Sequence, residues 1–178
     1  FWIAMTETTN EQFGSSGRWT GSEYPRDTIS WTEATIFCES KGMRLPTEAE
    51  WEYAGRGPDE FVYPWGDTYS ASNVIDRSNS GDRSFLVGSR PSGISWVGAF
   101  DLSGNVWEWV SSIYHPYPYS NDEIRENPID TGAFRVFRGG SWKSATPYNT
   151  RLTFSSYDSS SLTEDFLGFR CARDFHSE

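Results

Sequence analysis

The chain has 178 residues, with 25 acidic and 15 basic side chains and a net charge of −10. That balance lacks the basic patch needed to neutralise phosphates, so no nucleic-acid partner is expected. No apolar run approaches the ~18 residues of a membrane span. Nine Trp, nine Tyr and twelve Phe make up 17 % of the chain, against 36 % hydrophobic residues in all. Disordered chains are poor in rings, so a folded core is predicted, built from rings that each bury ~150–250 Å².

Residues 1–5, Phe-Trp-Ile-Ala-Met, read as a strand with no leader pattern, and a leader or first strand preceding them is one expectation. Ser30–Gly42 is predicted to be helical. Ala34, Phe37 and Cys38 fall at helical spacing, Ser30 caps the start and Gly42 suits the stop. A second helix begins at Thr47-Glu48-Ala49-Glu50, a capping box, and runs to Gly55. After Gly55, turn residues recur every few positions, and the strand candidates are short: Val106–Val110, Phe134–Arg138 and Phe166–Ala172. Residues 1–178 are therefore read as one α+β domain with two short helices, short antiparallel strands and high loop content. So much irregular chain calls for buried rings, ions or a disulfide as support.

Four segments carry a family resemblance. They are the run from Gly42 to Ala54 (GMRLPTEAEWEYA), Tyr63–Asp67 (YPWGD), Asp101–Trp109 (DLSGNVWEW), and Arg135–Trp142 (RVFRGGSW) followed by Leu167–Ala172 (LGFRCA). Together they resemble the formylglycine-generating enzyme (sulfatase-modifying factor) family, in the right order and over nearly the whole chain. The resemblance implies a C-type-lectin-like fold. In the family, two cysteines five residues apart follow the Gly-Gly-Ser-aromatic turn, bind copper and activate oxygen; Cu(I) prefers such soft ligands. The matching positions here are Ser144 and Asn149. The resemblance therefore implies a non-catalytic member without copper. The related iron-dependent sulfoxide synthases need three His ligands, and this chain has His115 and His176 alone, both read as exposed loop residues.

The resemblance also implies two supports for the fold. One is a Cys38–Cys171 disulfide, which places the chain in a secreted or cell-surface setting, with two free thiols in a reducing compartment as the alternative. The other is structural calcium, a hard cation that takes oxygen ligands. One site would use the side chains of Asp101 and Glu108 with the carbonyls of Gly104 and Val106. The alternative there is a glycine turn in which Glu108 pairs with an arginine. A second site would use Asn73, the Val74 carbonyl and Asp82, with Asp76 as a rival.

Residues 143–166 hold six Ser, four Thr, two Tyr, two Phe and no Gly, a composition typical of binding surfaces. Their place between the Gly-Gly-Ser-Trp turn and the terminal Gly-Phe-Arg resembles the variable proteins of diversity-generating retroelements. That likeness implies a protein or other macromolecular ligand contacted by Ser144, Ala145, Tyr148, Asn149, Phe154, Ser156, Tyr157 and Asp158. A drifted loop in a non-catalytic paralogue, an atypical oxidase or hydrolase, and a structural accessory domain are the other readings. Trp31, Trp51, Trp65, Trp107, Trp109 and Trp142 are assigned to the core, and Tyr148, Phe154 and Tyr157 to the surface. No Glu-Pro-Asn or Gln-Pro-Asp triplet occurs, so sugar binding is not expected.

Overall fold

The computed structural model describes residues 1–119, 125–126, 130 and 132–175. Its strands are β1 (Trp2–Ile3), β2 (Trp107–Ile113), β3 (Phe134–Arg138), β4 (Ser155–Ser159), β5 (Leu167–Phe169) and β6 (Ala172–Arg173). Its α-helices are α1 (Asn10–Phe13), α2 (Trp31–Ser40) and α3 (Glu48–Arg56). Each helix starts in a reciprocal capping box: Thr9 with Gln12, Ser30 with Glu33, and Thr47 with Glu50. Two orphan N–H groups are satisfied at each start by residues four positions apart at most, so short helices form without long-range help. The single turn of α1 is an addition to the two helices expected. Its signal was the same Thr-x-x-Gln pattern.

The main sheet has the order β4-β3-β2-β5. β3 lies antiparallel to both β2 and β4, whereas β5 lies parallel to β2, with Glu108 beside Gly168. The all-antiparallel expectation fails there because the chain crosses from β4 at one edge to β5 at the other. The strand expected over Phe166–Ala172 is two strands in two sheets: β6 leaves β5 and pairs with β1. β4 lies inside the segment read as a binding loop.

Side chains alternate across a strand, and both faces of this sheet are covered. Trp107, Trp109, Phe137, Leu167 and Phe169 pack with Trp31, Ala34 and Cys38 of α2. Val110 and Val136, on the opposite face, pack with Trp51 and Ala54 of α3 and with Leu102 and Leu152. Of the six tryptophans assigned to the core, five are buried; Trp65 is half-buried, stacked on Tyr63 at 5.3 Å. Among the described residues no helix is long and apolar enough to cross a membrane.

The Cys38–Cys171 disulfide ties α2 to the β5–β6 junction across 133 residues, with a Cα–Cα distance of 5.7 Å. Closing so long a loop removes much conformational freedom from the unfolded chain. Cys38→Ala is expected to cost about 2–5 kcal/mol in urea unfolding. An Ellman assay on unreduced, denatured protein should find no reactive thiol.

Candidate functional site

The site starts from the turn that follows β3. Gly139 and Gly140 have φ of +99° and +76°, and a Cβ on Gly140 would lie 2.6 Å from the Asn149 carbonyl oxygen. Glycine thus lets residue 149 press against the turn. The Ser141 N–H donates to Ser144 Oγ and the Ser144 N–H donates back to the Ser141 carbonyl, both at 2.9 Å. Chain beyond the turn is held from beneath by Arg138, whose guanidinium is fully buried. Its Nη2 donates to the Leu152 carbonyl at 2.7 Å and its Nη1 to the Thr153 carbonyl at 3.3 Å. Glu48 and Glu52 of α3 complete its ion pairs. Arg138 was not singled out from the sequence, although its position just before the Gly-Gly turn was the available signal.

Trp107, Ser141, Lys143, Ser144, Ala145, Asn149 and Phe166 line a cleft of about 310 Å³. Ser144 is buried at its wall, and Asn149 Oδ1 accepts from the Thr146 hydroxyl at 2.9 Å. Lys143 Nζ lies 4.7 Å from the Trp142 and Phe166 ring centres and 2.6 Å from Asp165 Oδ1. Phe154 departs from expectation. It is half-buried, 5.9 Å from Trp107 and 5.1 Å from the exposed Tyr148, because the Trp107 ring offers it an apolar seat.

Ser144, Ala145, Tyr148, Asn149 and Phe154 are thus brought together. The other three residues are not part of that cluster. On β4, Ser156 is opposite Phe137 and Asp158 opposite Arg135, whereas Tyr157 is opposite Val136 on the other face of the sheet. Tyr157 stacks there on Tyr114 at 3.5 Å, with Phe134 at 5.7 Å. The eight residues therefore divide between the two faces of the sheet.

The residues suggested for calcium do not fit the ion as they are arranged. Glu108 is fully buried, and both its oxygens accept from N–H donors: Oε2 from Arg170 Nε at 2.6 Å and Trp51 Nε1 at 2.8 Å, Oε1 from Arg170 Nη2 at 2.7 Å. Asp101 Oδ2 accepts from the Gly88 N–H at 2.5 Å. Gly104, with φ +85°, packs against the Ile75 carbonyl, and Val106 lies in the core with Ile75 and Trp142. Glu7, not singled out from the sequence, is buried beside this group and accepts from Asn105 Nδ2 at 2.9 Å, leaving its Oε2 without a hydrogen bond. Burial, then the charges of Asp101 and Glu108, holds the Glu7 carboxyl well above the usual range. Burial likewise raises Asp101.

At the second suggested site, Asn73 Oδ1 accepts from Ser72, the Val74 carbonyl accepts from Asn79, and Asp82 is exposed beside Arg77 and Trp142. Asp76 accepts from the Tyr69 hydroxyl on Oδ2 and from the Ser78 N–H and hydroxyl on Oδ1. No group of three or more His, Cys, Asp or Glu among the described residues has a metal-holding arrangement. His115 is half-buried, correcting its reading as exposed, and His176 lies outside the described residues.

A short-stranded sheet covered by α2 and α3, closed by a β1–β6 ribbon and rich in turns, is a C-type-lectin-like fold of the formylglycine-generating-enzyme type. The chain belongs to the sulfatase-modifying factor family: residues 2–175 match the sulfatase-modifying factor enzyme 1-like domain. It is 34 % identical over 168 residues to the inactive C-alpha-formylglycine-generating enzyme 2 of Mus musculus, covering 84 % of this chain and 49 % of that protein. It is 35 % identical over 164 residues to the formylglycine-generating enzyme of Streptomyces coelicolor, covering 82 % and 51 %. It is 32 % identical over 185 residues to the hercynine oxygenase of Mycolicibacterium smegmatis, covering 98 % and 42 %. The chain therefore spans about half the length of these relatives. Among solved structures, Treponema denticola variable protein 1 superposes with a TM-score of 0.78 at 23 % identity, over 95 % of this chain and 82 % of that one. The Major Tropism Determinant I1 variant gives 0.58 at 15 %, over 96 % and 49 %.

Removing one partner of a buried ion pair strands the other charge. Glu108→Gln should lower stability by about 3–5 kcal/mol in urea unfolding.

Proposed function

We propose that this chain is a non-catalytic binding protein, using the cleft at Ser144 and Asn149 and the surrounding 143–166 surface to contact a protein or other macromolecular ligand. The observation that carries this reading is the chemistry of that pair. A hydroxyl and a carboxamide stand at the positions that the family resemblance assigns to copper-binding cysteines, and neither supplies the thiolate that Cu(I) prefers. Both are also engaged in the local turn, Ser144 with Ser141 and Asn149 with Thr146. An inactive relative at 34 % identity agrees with the loss of that chemistry.

What remains is a shallow, preformed surface. Trp107 and Phe166 line it with rings beside Ser144, Ala145 and Asn149, and Phe154 and Tyr148 adjoin Trp107. Rings supply contact area at low entropy cost, and small polar groups supply adaptable hydrogen bonds. Because Arg138 and the Gly139–Gly140 turn fix the backbone, side chains at the rim are free to change without disturbing the core. We read this as the arrangement of a variable protein of a diversity-generating retroelement, and the fold shared with Treponema denticola variable protein 1 agrees with that reading.

The competing oxidase reading is separated by copper. The protein should neither bind Cu(I) tightly nor oxidise a cysteine-containing peptide, and the Ser144→Cys, Asn149→Cys double variant should gain Cu(I) binding. Tight Cu(I) binding with peptide oxidation by the unaltered chain would refute the proposal.

A further inference from the structure

We propose that two side chains of this protein, the Arg170 guanidinium and the Asn79 carboxamide, make the cross-links for which the family resemblance suggests calcium, so that the fold is held without that ion. The two groups lie in separate parts of the chain and reach the same result by the same means. Each takes one acceptor of the suggested cation sites, the Glu108 carboxylate for Arg170 and the Val74 carbonyl for Asn79.

Arg170 is fully buried and makes five contacts to oxygen from three segments of the chain. Its Nε and Nη2 clamp the two oxygens of Glu108 at 2.6 and 2.7 Å. Nη2 also donates to the Phe100 carbonyl at 2.7 Å, and Nη1 donates to the Ala4 and Met5 carbonyls at 3.1 and 3.4 Å. A divalent ion gathers 6–8 such oxygens. Here the guanidinium fork gathers five, in a geometry matched to a carboxylate. Calcium taking both Glu108 oxygens must displace the fork, which would leave a buried guanidinium without its paired carboxylate. That displacement is costly.

Asn79 does the equivalent work in the 71–79 loop. Its Nδ2 donates to the Ala71 carbonyl at 2.9 Å and the Val74 carbonyl at 3.0 Å, while its Oδ1 accepts from the Asp76 N–H at 3.2 Å. Two acceptors face the NH₂ group and one donor faces the oxygen, so the partners themselves dictate which way the amide points. The Val74 carbonyl is the one suggested as a calcium ligand. An N–H is aimed at it and at the Ala71 carbonyl beside it, so a cation there would compete with both bonds.

The test is thermal unfolding of the whole chain in excess EDTA and in excess calcium, with elemental analysis of the desalted protein. The expected result is a Tm that is the same within about 1 °C in both, and calcium far below one ion per chain. Asn79→Ala should lower Tm by about 3–6 °C, with no recovery on adding calcium. A fall in Tm caused by EDTA, stoichiometric calcium, or calcium rescue of Asn79→Ala would overturn the proposal. An unchanged Tm for Asn79→Ala would overturn the part assigned to Asn79. Should that variant fail to fold, the chelation and elemental measurements on the unaltered chain still decide the matter.

Discussion

The buried pair of Arg170 and Glu108 is the constraint around which the rest is arranged. Arg170 sits between β5 and β6, one residue before the disulfide cysteine, and Glu108 sits on β2, an inner strand of the sheet. Neither side chain touches solvent. Two charges removed from water cost several kcal/mol each unless every donor and acceptor is answered, so the pair is tolerable in very few arrangements. Trp51, the carbonyls of residues 4, 5 and 100, and the parallel register of β2 with β5 must all be correct together. A loop-rich chain with few aliphatic residues has many near-equivalent compact states. A polar contact this exacting penalises most of them, because a wrong register leaves a buried charge unanswered. The nearby Glu7 fits this logic: its raised pKa favours the neutral carboxyl, which limits the negative charge buried around a single guanidinium.

From that fixed point the molecule divides into frame and excursion. The frame consists of β2, β3 and β5, the two covering helices and the disulfide. The excursion leaves at Gly139–Gly140 and returns at Leu167. Arg138 is the hinge between them. It is buried in the frame, anchored to α3 by two carboxylates, and yet it spends its donors on carbonyls of the excursion. Main-chain carbonyls are present whatever the side chains are. A segment fastened through its backbone can therefore change its side chains and keep its path, which is the physical requirement for a surface that varies on a constant fold.

What the sequence disclosed follows from the range of each interaction. The starts of α2 and α3 were legible because a capping box lies within four residues, and β3 was legible to the residue because the short run Phe134–Arg138, with two Phe and a Val, lies between glycine turn signals. β4 was not: Ser-Ser-Tyr-Asp-Ser has no apolar alternation, and it is a strand because β3 offers it an edge. Likewise, the break between β5 and β6 depends on where Arg170 must point, which no local pattern contains. An arginine partner for Glu108 was visible as an alternative to calcium, but which arginine was not, since 62 residues separate Glu108 from Arg170. Glu7 and Arg138 escaped notice for the same reason. Their importance lies in distant neighbours.

The strand hidden in the excursion has a functional consequence. A loop places consecutive side chains on one surface as its path allows, but a strand sends them to opposite sides. Tyr148 and Tyr157, both exposed and both in a segment rich in Ser and Thr, therefore cannot serve one contact as neighbours. Tyr148 belongs with Phe154, Trp107 and the cleft, on the α2 side of the sheet. Tyr157 belongs with Tyr114 and Phe134, beyond the edge on the α3 side. Of the two surfaces, the cleft has the features of a binding site: a concave shape, a buried aromatic floor and several polar groups that converge on it. At the other surface Tyr157 stacks on Tyr114, so each ring covers a face of the other. The proposed 143–166 surface thus divides into two contacts, and β4 also ties the segment to β3.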